Sequence, residues 1–432
     1  MREMKDSGIE WIGAIPQDWK TDRLQWHLKE INVSNNPIQT KNILSLTIEA
    51  GVIPYAEKGN QGNKAKEDYS QYKIALPDTL VINSMNVIIG AVGISQYFGC
   101  VSPVYYVFEP IEGTDLRYIY YLFTNTGFQK EMRKYAKGIL EIRLRISSND
   151  MLKRIVPSPP FKEQQRIADY LDKMCAEIDA VLEKTRASIE EYKKLKQAVI
   201  TQAVTKGIRG DRPMKNSGIE WIGDIPESWE VSSVRYIGQL QNGISKGGEF
   251  FGKGFPFVSY GDVYKNYELP HSVSGLIDTT EDERAKYSVE YGDIFFTRTS
   301  ETIEEVGFSC VCKRSIPNAT FAGFIIRLRP FCADEKILTD YAKYYFRGEH
   351  IRAYLVKEMN LVTRASLGQT LLKGMSVIVP PKSVQKEIAE YLDDKCADID
   401  ALVAKKQQYL TEIENYKKSL IYEYVTGKKE VV

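Results

Sequence analysis

The sequence predicts an α/β protein: two globular domains of mixed small sheets and helices, joined by two long helices that form an antiparallel coiled coil. A repeated box, SGIEWIG-x-IP-x-x-W, occurs at residues 7–19 and again at residues 217–229. A second repeat starts at a Pro-Pro pair and covers residues 159–180 and 380–401. The chain is therefore two copies of one unit, which predicts a pseudo-twofold internal duplication.

The regions between the repeats differ from each other in sequence but hardly in length. The box repeats at an offset of 217 − 7 = 210 and the Pro-Pro segment at 380 − 159 = 221, so the two middles differ by only 221 − 210 = 11 residues. We predict four consecutive segments. Two are variable domains with their boxes, 1–158 and 211–379, and two are repeated helices, 159–210 and 380–432.

The repeated helices carry apolar residues at heptad spacing, which is typical of coiled coils. Residues 163–205 contain neither proline nor glycine. Copies that pack through equivalent faces about a twofold axis would pair antiparallel, although each helix could instead pack on its own domain. The predicted spacer seam comprises Leu171, Ile178 and Tyr192 with Leu392, Ile399 and Ile413, widened by a second series through Met174, Val181, Leu195, Leu402, Tyr409 and Tyr416.

The two middles have the pattern of small α/β domains. Short β-rich runs end at turns or at a proline, and two aromatic segments have helical spacing. The predicted strands are 80–82, 104–108, 294–296 and 324–328, and the predicted helices are 118–123 and 341–346.

Composition argues against bulk electrostatic coating of nucleic acid. The 58 basic and 57 acidic residues give a net charge of +1, although residues 130–145 hold six basic residues against two acidic ones. That run is either a basic patch or an ordinary solvated helix face. The sequence has no apolar run of membrane-spanning length, a polar start and scattered cysteines, so we expect a cytoplasmic protein without a membrane partner.

The sequence lacks the common catalytic motifs, which favours recognition over catalysis. The segment 247–254 satisfies G-x-x-x-x-G-K but lacks the Ser or Thr that contacts magnesium, and Pro256 prevents a helix from starting there. Cys310 and Cys312 lack zinc-ligand spacing, and none of the three histidines is repeated between the copies. We therefore expect no metal and no catalytic residue in this chain.

The repeated box, the PP-x-x-x-Q-x-x-IA-x-YLD helix start and the two unlike middles together resemble the specificity subunit of Type I restriction-modification systems, over the whole chain. The resemblance implies that each variable region is a target recognition domain for one half of a bipartite, asymmetric double-stranded DNA site, with the helices as spacer. It further implies two modification (methyltransferase) subunits and restriction (motor nuclease) subunits as partners. S-adenosylmethionine, ATP and magnesium would bind to those partners, and this chain would be noncatalytic.

Candidate DNA contacts are polar segments after strands, flexible basic loops and arginines that match between the copies. Strand-end residues could equally be ordinary turns, and the matched arginines could form internal salt bridges instead of phosphate contacts. The candidates are Lys64, Lys66, Asn83, Ser84, Asn86, Arg143 and Arg145 in the first domain, and Lys246, Lys253, Arg298, Thr299 and Arg364 in the second.

The repeated parts of the chain, the box and the Pro-Pro helix segment, form what we call the frame. It includes the repeated tryptophans Trp11, Trp19, Trp221 and Trp229. They are either core anchors or contacts for the methyltransferase subunit. A competing hypothesis for the whole chain is a coiled-coil scaffold that organises protein partners without touching DNA.

Overall fold

The computed structural model describes residues 2–59, 65, 66, 68–138, 144–210, 212–300, 305–359 and 365–431. The chain divides into two compact units. Unit 1 comprises Met1–Arg186 with Gln408–Val432, and unit 2 comprises Ala187–Gln407. Each unit thus combines one globular region with a part of each long helix.

The first half of the chain contains twelve named strands and four helices within the described ranges. The strands are β1 Met4–Asp6, β2 Ala14–Pro16, β3 Lys20–Arg23, β4 Leu28–Ile31, β5 Leu44–Thr47, β6 Gly51–Pro54, β7 Lys73–Ala75, β8 Thr79–Asn83, β9 Val92–Ser95, β10 Gly99–Val101, β11 Tyr105–Pro110 and β12 Ile155–Ser158. The helices are α1 Leu116–Thr124, α2 Thr126–Arg133, α3 Ser148–Leu152 and α4 Phe161–Lys206, with short 3-10 turns at Leu24–Trp26, Tyr55–Lys58, Tyr69–Gln71 and Val87–Ile89.

The second half repeats this plan with additions in its variable region. The strands are β13 Met214–Asn216, β14 Asp224–Pro226, β15 Glu230–Ser233, β16 Gly238–Asn242, β17 Phe251–Val258, β18 Gly275–Ile277, β19 Ile294–Thr297, β20 Thr299–Ser300, β21 Ser309–Val311, β22 Thr320–Phe321, β23 Ile325–Pro330, β24 Ala365–Ser366 and β25 Ser376–Val379. The helices are α5 Tyr260–Lys265, α6 Glu281–Lys286, α7 Thr339–Tyr345, α8 Glu349–Glu358, α9 Gln369–Gly374 and α10 Lys382–Val425, with 3-10 turns at Val234–Tyr236 and Gly248–Phe250.

Each unit contains a four-stranded antiparallel sheet with the same strand order. The order is β4-β11-β8-β9 in unit 1 and β16-β23-β19-β21 in unit 2. Strands β8 (TLVIN) and β19 (IFFT) are buried throughout, which suits their β-branched and aromatic residues. The unlike middles therefore share one sheet architecture, and the predicted α/β fold class is confirmed.

The repeated motifs make the contacts that hold the helices to the domains. The motif glutamine Gln164 donates to the Pro159 carbonyl at 3.0 Å, and Gln385 donates to the Pro380 carbonyl at 2.8 Å. The YLD aspartates accept hydroxyl hydrogen bonds of 2.7 Å in both units, from Tyr121 to Asp172 and from Tyr344 to Asp393.

Each globular region is completed by the far end of the other copy's helix. In unit 1 the buried Tyr118 hydroxyl donates to the carbonyl of Val425, at the end of α10, at 2.9 Å. In unit 2 the equivalent Tyr341 donates to the carbonyl of Val204, at the end of α4, at 3.1 Å. Both helices then stop at a glycine with positive φ, Gly207 or Gly427.

The two long helices pair antiparallel within each unit. In unit 1 a lysine–aspartate ion pair of 2.6 Å joins Lys417 to Asp179, and an arginine–glutamate pair of 2.8 Å joins Arg186 to Glu414. In unit 2 Lys196 pairs with Asp400 at 2.6 Å, and the Lys406 ammonium lies 5.6 Å from the Tyr192 ring centroid. Partner numbers fall along α10 as they rise along α4, so the predicted antiparallel pairing is confirmed in each unit.

The phase of the second heptad series was predicted wrongly. Leu171, Ile178, Leu392 and Ile399 are buried as expected, and Tyr192 and Ile413 are half-buried. Of the widening residues, Met174 is half-buried, whereas Val181, Leu195, Leu402, Tyr409 and Tyr416 are 40–51% exposed.

The buried second series lies one residue further along, at Cys175, Leu182 and Ile189 on α4. At about 100° per residue, Cys175 lies about 40° from Leu171 around the helix, whereas Met174 lies about 60° away on the opposite side. Both series alternate three- and four-residue steps with the Leu171 series, and the buried one is the series that lies closer to it around the helix.

Candidate nucleic-acid interface

The two strand-end segments predicted to read DNA occupy equivalent places in the two sheets. Strand β8 ends at Asn83 and strand β19 ends at Thr297, and each is the third strand of its sheet. Residues 83–86 and 298–299 therefore emerge at the same edge of the same architecture. Their sequences, Asn-Ser-Met-Asn and Arg-Thr, present different polar groups there.

In unit 1 this edge borders a groove with a volume of about 830 Å³. Its walls are the β5–β6 hairpin, the 3-10 turn Tyr55–Lys58 and the segment that leads into β11. The polar and aromatic residues that line it are Ser45, Thr47, Glu49, Tyr55, Glu57, Lys58, Lys66, Tyr72, Asn83, Asn86, Ser102 and Tyr105. A concave surface with amides, hydroxyls and lysines has the groups that hydrogen-bond base edges and phosphates.

Of the predicted strand-end residues, Asn86 is the most available side chain. It is half-exposed and lines the groove. The Asn83 side-chain oxygen instead accepts from the Met85 amide at 3.0 Å, and the Ser84 hydroxyl is buried and donates to the Val104 carbonyl at 2.7 Å. These bonds shape the turn that presents Asn86, and they favour a structural role for Ser84.

Two lysines lie at the rim of the groove. Lys66 is exposed. Its backbone amide donates to the Tyr72 hydroxyl at 2.9 Å, and its ammonium lies 3.5 Å from the Gln71 side-chain oxygen. The Lys58 ammonium lies 4.5 Å from the Tyr55 ring centroid. Lys64 lies outside the described residues.

The basic run of residues 130–145 is partly neutralised. Lys134 pairs with Glu131 at 2.9 Å and with Glu10 at 3.2 Å. Arg145 is exposed and its backbone pairs with that of Lys137, which places two exposed cations side by side. Burial lowers the pKa of the neighbouring Lys73, and the charge of Arg145 lowers it further. This end of the run remains a positive surface, whereas Arg143 lies outside the described residues.

In unit 2 some of the residues predicted to contact DNA are exposed, whereas others form contacts inside the domain. Lys253 is exposed on β17, and Arg298 and Thr299 are half-exposed beyond β19. Lys246 is different, because its ammonium pairs with Glu283 at 2.6 Å and donates to the Asp278 carbonyl at 2.9 Å. Its side chain is only 15% exposed, so the structure favours a role in holding α6 over contact with DNA. Arg364 lies outside the described residues.

The repeated tryptophans differ in burial. Trp19 and Trp229 are fully buried core residues, whereas Trp11 and Trp221 are half-buried against Phe128 and against His350, respectively. The Trp19 indole donates to Glu163 at 2.9 Å. In unit 2 the repeat has Val384 where unit 1 has Glu163, and the Trp229 indole has no hydrogen-bond partner among the described residues.

The hairpin and the tyrosines that line the groove could not be predicted from the sequence. Ser45 and Thr47 lie on β5, and Tyr55 and Tyr105 lie on separate segments. They belong to no motif and come together only in the fold. The alternation of Leu and small polar residues in β5, Leu-Ser-Leu-Thr, indicates a strand but not a groove.

Two further observations concern other kinds of site. Within the described ranges, no group of three or more His, Cys, Asp or Glu side chains is arranged to hold a metal ion. No helix in those ranges is both long enough and apolar enough to cross a membrane.

The duplicated sheets and the antiparallel helices define a class of protein in which two domains share one repeated frame. The variable regions of the two domains present different surfaces. A family model described as the Type I restriction modification DNA specificity domain matches residues 16–191 and 226–414. The chain belongs to this family, which confirms the resemblance seen in the sequence.

Similar proteins are specificity subunits of Type I restriction enzymes. The chain is 24% identical over 279 residues to the EcoKI specificity subunit of Escherichia coli K12, a match that covers 63% of this chain and 57% of that protein. It is 25% identical over 445 residues to the putative MjaX specificity subunit of Methanocaldococcus jannaschii, covering 97% of this chain and 96% of that protein.

Solved structures share the fold at low sequence identity. A chain from a study of complex assembly and conformational transition of the type I R-M system aligns with a TM-score of 0.72 and 14% identity, covering 96% of this chain and 99% of that one. The HsdS subunit of Thermoanaerobacter tengcongensis aligns with a TM-score of 0.50, also at 14% identity, covering 96% and 98%.

Proposed function

We propose that this chain reads a bipartite, asymmetric DNA site, with unit 1 reading one half and unit 2 the other. One observation carries the proposal: the same sheet edge presents Asn86 in unit 1 and Arg298 in unit 2. Asparagine side chains pair well with adenine and arginine with guanine in the major groove. Equivalent edges with different side chains would recognise different half-sites.

The paired helices would set the length of the unread spacer between the half-sites. A continuous coiled coil is stiff over its length, so the number of residues in α4 and α10 would determine the spacing. The family supports this role, and the antiparallel pairing within each unit is consistent with it.

The chain itself would be noncatalytic. We propose that two modification (methyltransferase) subunits bind it and supply S-adenosylmethionine chemistry, and that restriction (motor nuclease) subunits join them with ATP and magnesium. The complex would act in the cytoplasm, on the nucleoid. The Type I relatives support this set of partners.

A gel-shift assay at physiological salt tests the DNA-reading proposal. With a net charge of +1, the isolated chain should bind DNA weakly, whereas the complex with its modification subunit should bind one bipartite sequence tightly. A complex that forms normally but binds no DNA sequence preferentially would favour the scaffold hypothesis instead.

A further inference from the structure

In unit 1 two carboxylates satisfy a buried indole and the arginine beside it. The Trp19 indole N–H donates to Glu163 at 2.9 Å. The guanidinium of Arg2 donates to the same carboxylate at 3.0 Å and to Asp18 at 2.8 Å. The two acidic groups therefore neutralise the arginine, and one of them also accepts the hydrogen bond of the indole.

Unit 2 keeps the arginine and the indole but has lost both carboxylates. Arg212 and Trp229 follow their counterparts of unit 1 by 210 residues, whereas Ser228 and Val384 stand in place of the two acidic residues. Trp229 is fully buried, and its indole N–H has no hydrogen-bond partner among the described residues. Within the same ranges the guanidinium of Arg212 forms no ion pair or hydrogen bond. Buried polar groups almost always have a partner, so this pair of donors indicates an acceptor from outside the chain.

A cavity of about 340 Å³ lies beside these two donors. Gly207, directly after α4, lines the cavity. A side-chain carbon added to this glycine would lie 3.3 Å from the Cζ2 atom of Trp229 and 3.9 Å from the guanidinium Nη1 of Arg212. The indole edge, the guanidinium and the cavity therefore meet at one residue. The volume falls within the range of small-molecule sites, about 300–1,000 Å³.

The same cavity lacks an aromatic ring that unit 1 has. In unit 1 Tyr424 packs on Tyr170, with ring centroids 4.5 Å apart. Unit 2 keeps the second of these rings as Tyr391, which lines the cavity, but has Ala203 at the position of the first. A flat ring that enters the cavity could therefore pack on Tyr391, in the tilted or offset geometry that aromatic pairs prefer.

The positions of the lost ring and the lost carboxylate set the size of the ligand. Val384, which replaces the carboxylate, and Tyr391 are seven residues apart on α10. They therefore share one face of the helix and lie about 10 Å apart along it. A ligand that replaces both groups of unit 1 carries a flat ring and an acidic group at about this separation.

The charges around the cavity favour an anion. Lys206 lines the cavity, and its ammonium donates to the Asp224 carbonyl, with no carboxylate partner among the described residues. Arg209, also at the cavity, is already paired with Glu387 at 2.6 Å. Hydrogen bonds from a cation to an anion are stronger than those between neutral groups. Lys206 and Arg212 are therefore the cations available to a ligand.

We infer that unit 2 contains a binding site for a small aromatic anion, with its acidic group at Arg212 and the Trp229 indole N–H and its ring against Tyr391. In unit 1 the chain fills the equivalent places itself, with the carboxylate of Glu163 and the ring of Tyr424. A bound anion would join the end of α4, the start of α10 and the box of unit 2, and would stabilise this folded unit. None of these residues belongs to the edge proposed to read DNA, so the inference goes beyond the proposed function.

Titration of the full chain with two aromatic anions tests the site. Adenosine monophosphate and para-hydroxyphenylacetate each join a flat ring to an acidic group, a phosphate in the first and a carboxylate in the second. Nuclear magnetic resonance of isotope-labelled tryptophan follows the indole N–H signals, and Trp229→Phe assigns the signal of unit 2. At least one probe should shift the Trp229 signal and leave that of Trp19 in place, and the probe that binds identifies the acidic group. The neutral counterparts adenosine and para-hydroxyphenylethanol should not bind.

Four variants locate the binding. Arg212→Gln should weaken it at least about tenfold, because it removes the charged donor. Val384→Glu should supply an internal carboxylate as in unit 1, so the Trp229 signal should shift without a probe and the probe should no longer bind. Ala203→Tyr should also prevent binding, because it fills the position of the ring. Lys215→Gln is the control, because it removes an exposed cation three residues beyond Arg212 and should keep the wild-type affinity.

Three results would overturn the inference. The first is the absence of any shift with either probe. The second is equal binding of the neutral counterparts, which would make this an apolar cavity. The third is unchanged affinity in Arg212→Gln, which would place the probe elsewhere. Arg212 is half-exposed, so this variant keeps the fold even if the substitutions in the core do not.

Discussion

Replacing Asn86 and replacing Arg298 should each change the recognition of a different half-site. Asn86→Ala should relax the base preference only in the half read by unit 1, and Arg298→Ala only in the other half. Each lost base contact should cost about 1–3 kcal/mol of discrimination. Sequence selection from a randomised bipartite library measures this, and each variant is the control for the other. A change in both half-sites from one substitution would contradict the assignment.

His350 should make unit 2 sensitive to acid. Burial lowers its pKa to about 3, and its ring lies among the Trp221 and Tyr345 rings with no hydrogen-bond partner among the described residues. The unfolded chain takes up this proton below about pH 6.5 but the folded chain does not, so stability is full above that pH and falls between about pH 6.5 and 3.

The expected loss from His350 between pH 7.5 and pH 5 is about 2 kcal/mol of unfolding free energy. His350→Phe should remove this pH dependence, and His271→Gln, at an exposed histidine, should not. Hydrogen exchange of unit 2 amides at the two pH values measures the effect. Equal acid sensitivity in His350→Phe and the wild type would show that another group titrates.

At the residue scale, the sequence could nominate polar candidates but not their partners. Charge makes Lys246 a candidate, yet its ammonium pairs with Glu283, 37 residues away. Position at a strand end makes Ser84 a candidate, yet its hydroxyl donates to the Val104 carbonyl. Such pairings depend on tertiary contacts that no local pattern reveals.

At the scale of elements, the two helix ends fill their domains differently. In unit 1 the Tyr424 ring packs on Tyr170 with centroids 4.5 Å apart. At the equivalent position unit 2 has Ala203, and a cavity of about 340 Å³ lies beside it and Tyr391.

Ala203→Tyr should fill this cavity and restore the ring pair in unit 2. An added aromatic pair contributes about 0.5–1.5 kcal/mol beyond its buried area, so the variant should resist unfolding better. Tyr424→Ala should have the opposite effect in unit 1, costing about 3–5 kcal/mol. Denaturant unfolding compares them, with Ala198→Tyr at an exposed site of α4 as the control. Destabilisation by Ala203→Tyr would show that the cavity cannot accept a ring.

The helices should act as a ruler for the spacer. Inserting seven residues into α4 between Leu182 and Leu195, with seven at the matching place in α10, preserves the heptad register and adds about 10 Å. Because successive base pairs are about 3.4 Å apart, the unread spacer should lengthen by about three base pairs. Methylation mapping measures the spacer, and the same insertion in the loop at residue 210 is the control. An unchanged spacer would contradict the ruler.

The heptads predicted the existence of the helix pair, and the duplication predicted its direction, because copies related by a twofold axis pair antiparallel. They did not predict which of two adjacent series is buried. Met174 and Cys175 are both apolar neighbours of the seam, and the choice between them depends on the facing helix.

At the scale of the whole molecule, the duplication made the frame predictable and the reading surfaces unpredictable. Repeated residues such as Gln164 and Gln385 make the same contacts in both units, so one pattern accounts for both. The groove of unit 1 is built from the divergent middle. The opposite helix end completes each domain through residues far apart in sequence, 307 positions for Tyr118 and Val425 and 137 for Tyr341 and Val204. Neither leaves a periodic signal in the sequence.

The central claim is that two unlike domains on one frame read one bipartite DNA site. Mapping N6-methyladenine across the host genome, with and without the gene for this chain, tests it most directly. We predict one asymmetric motif, two specific halves around a spacer of constant length, that disappears when the gene is deleted. A continuous palindrome, or a methylation pattern unchanged by the deletion, would contradict the account.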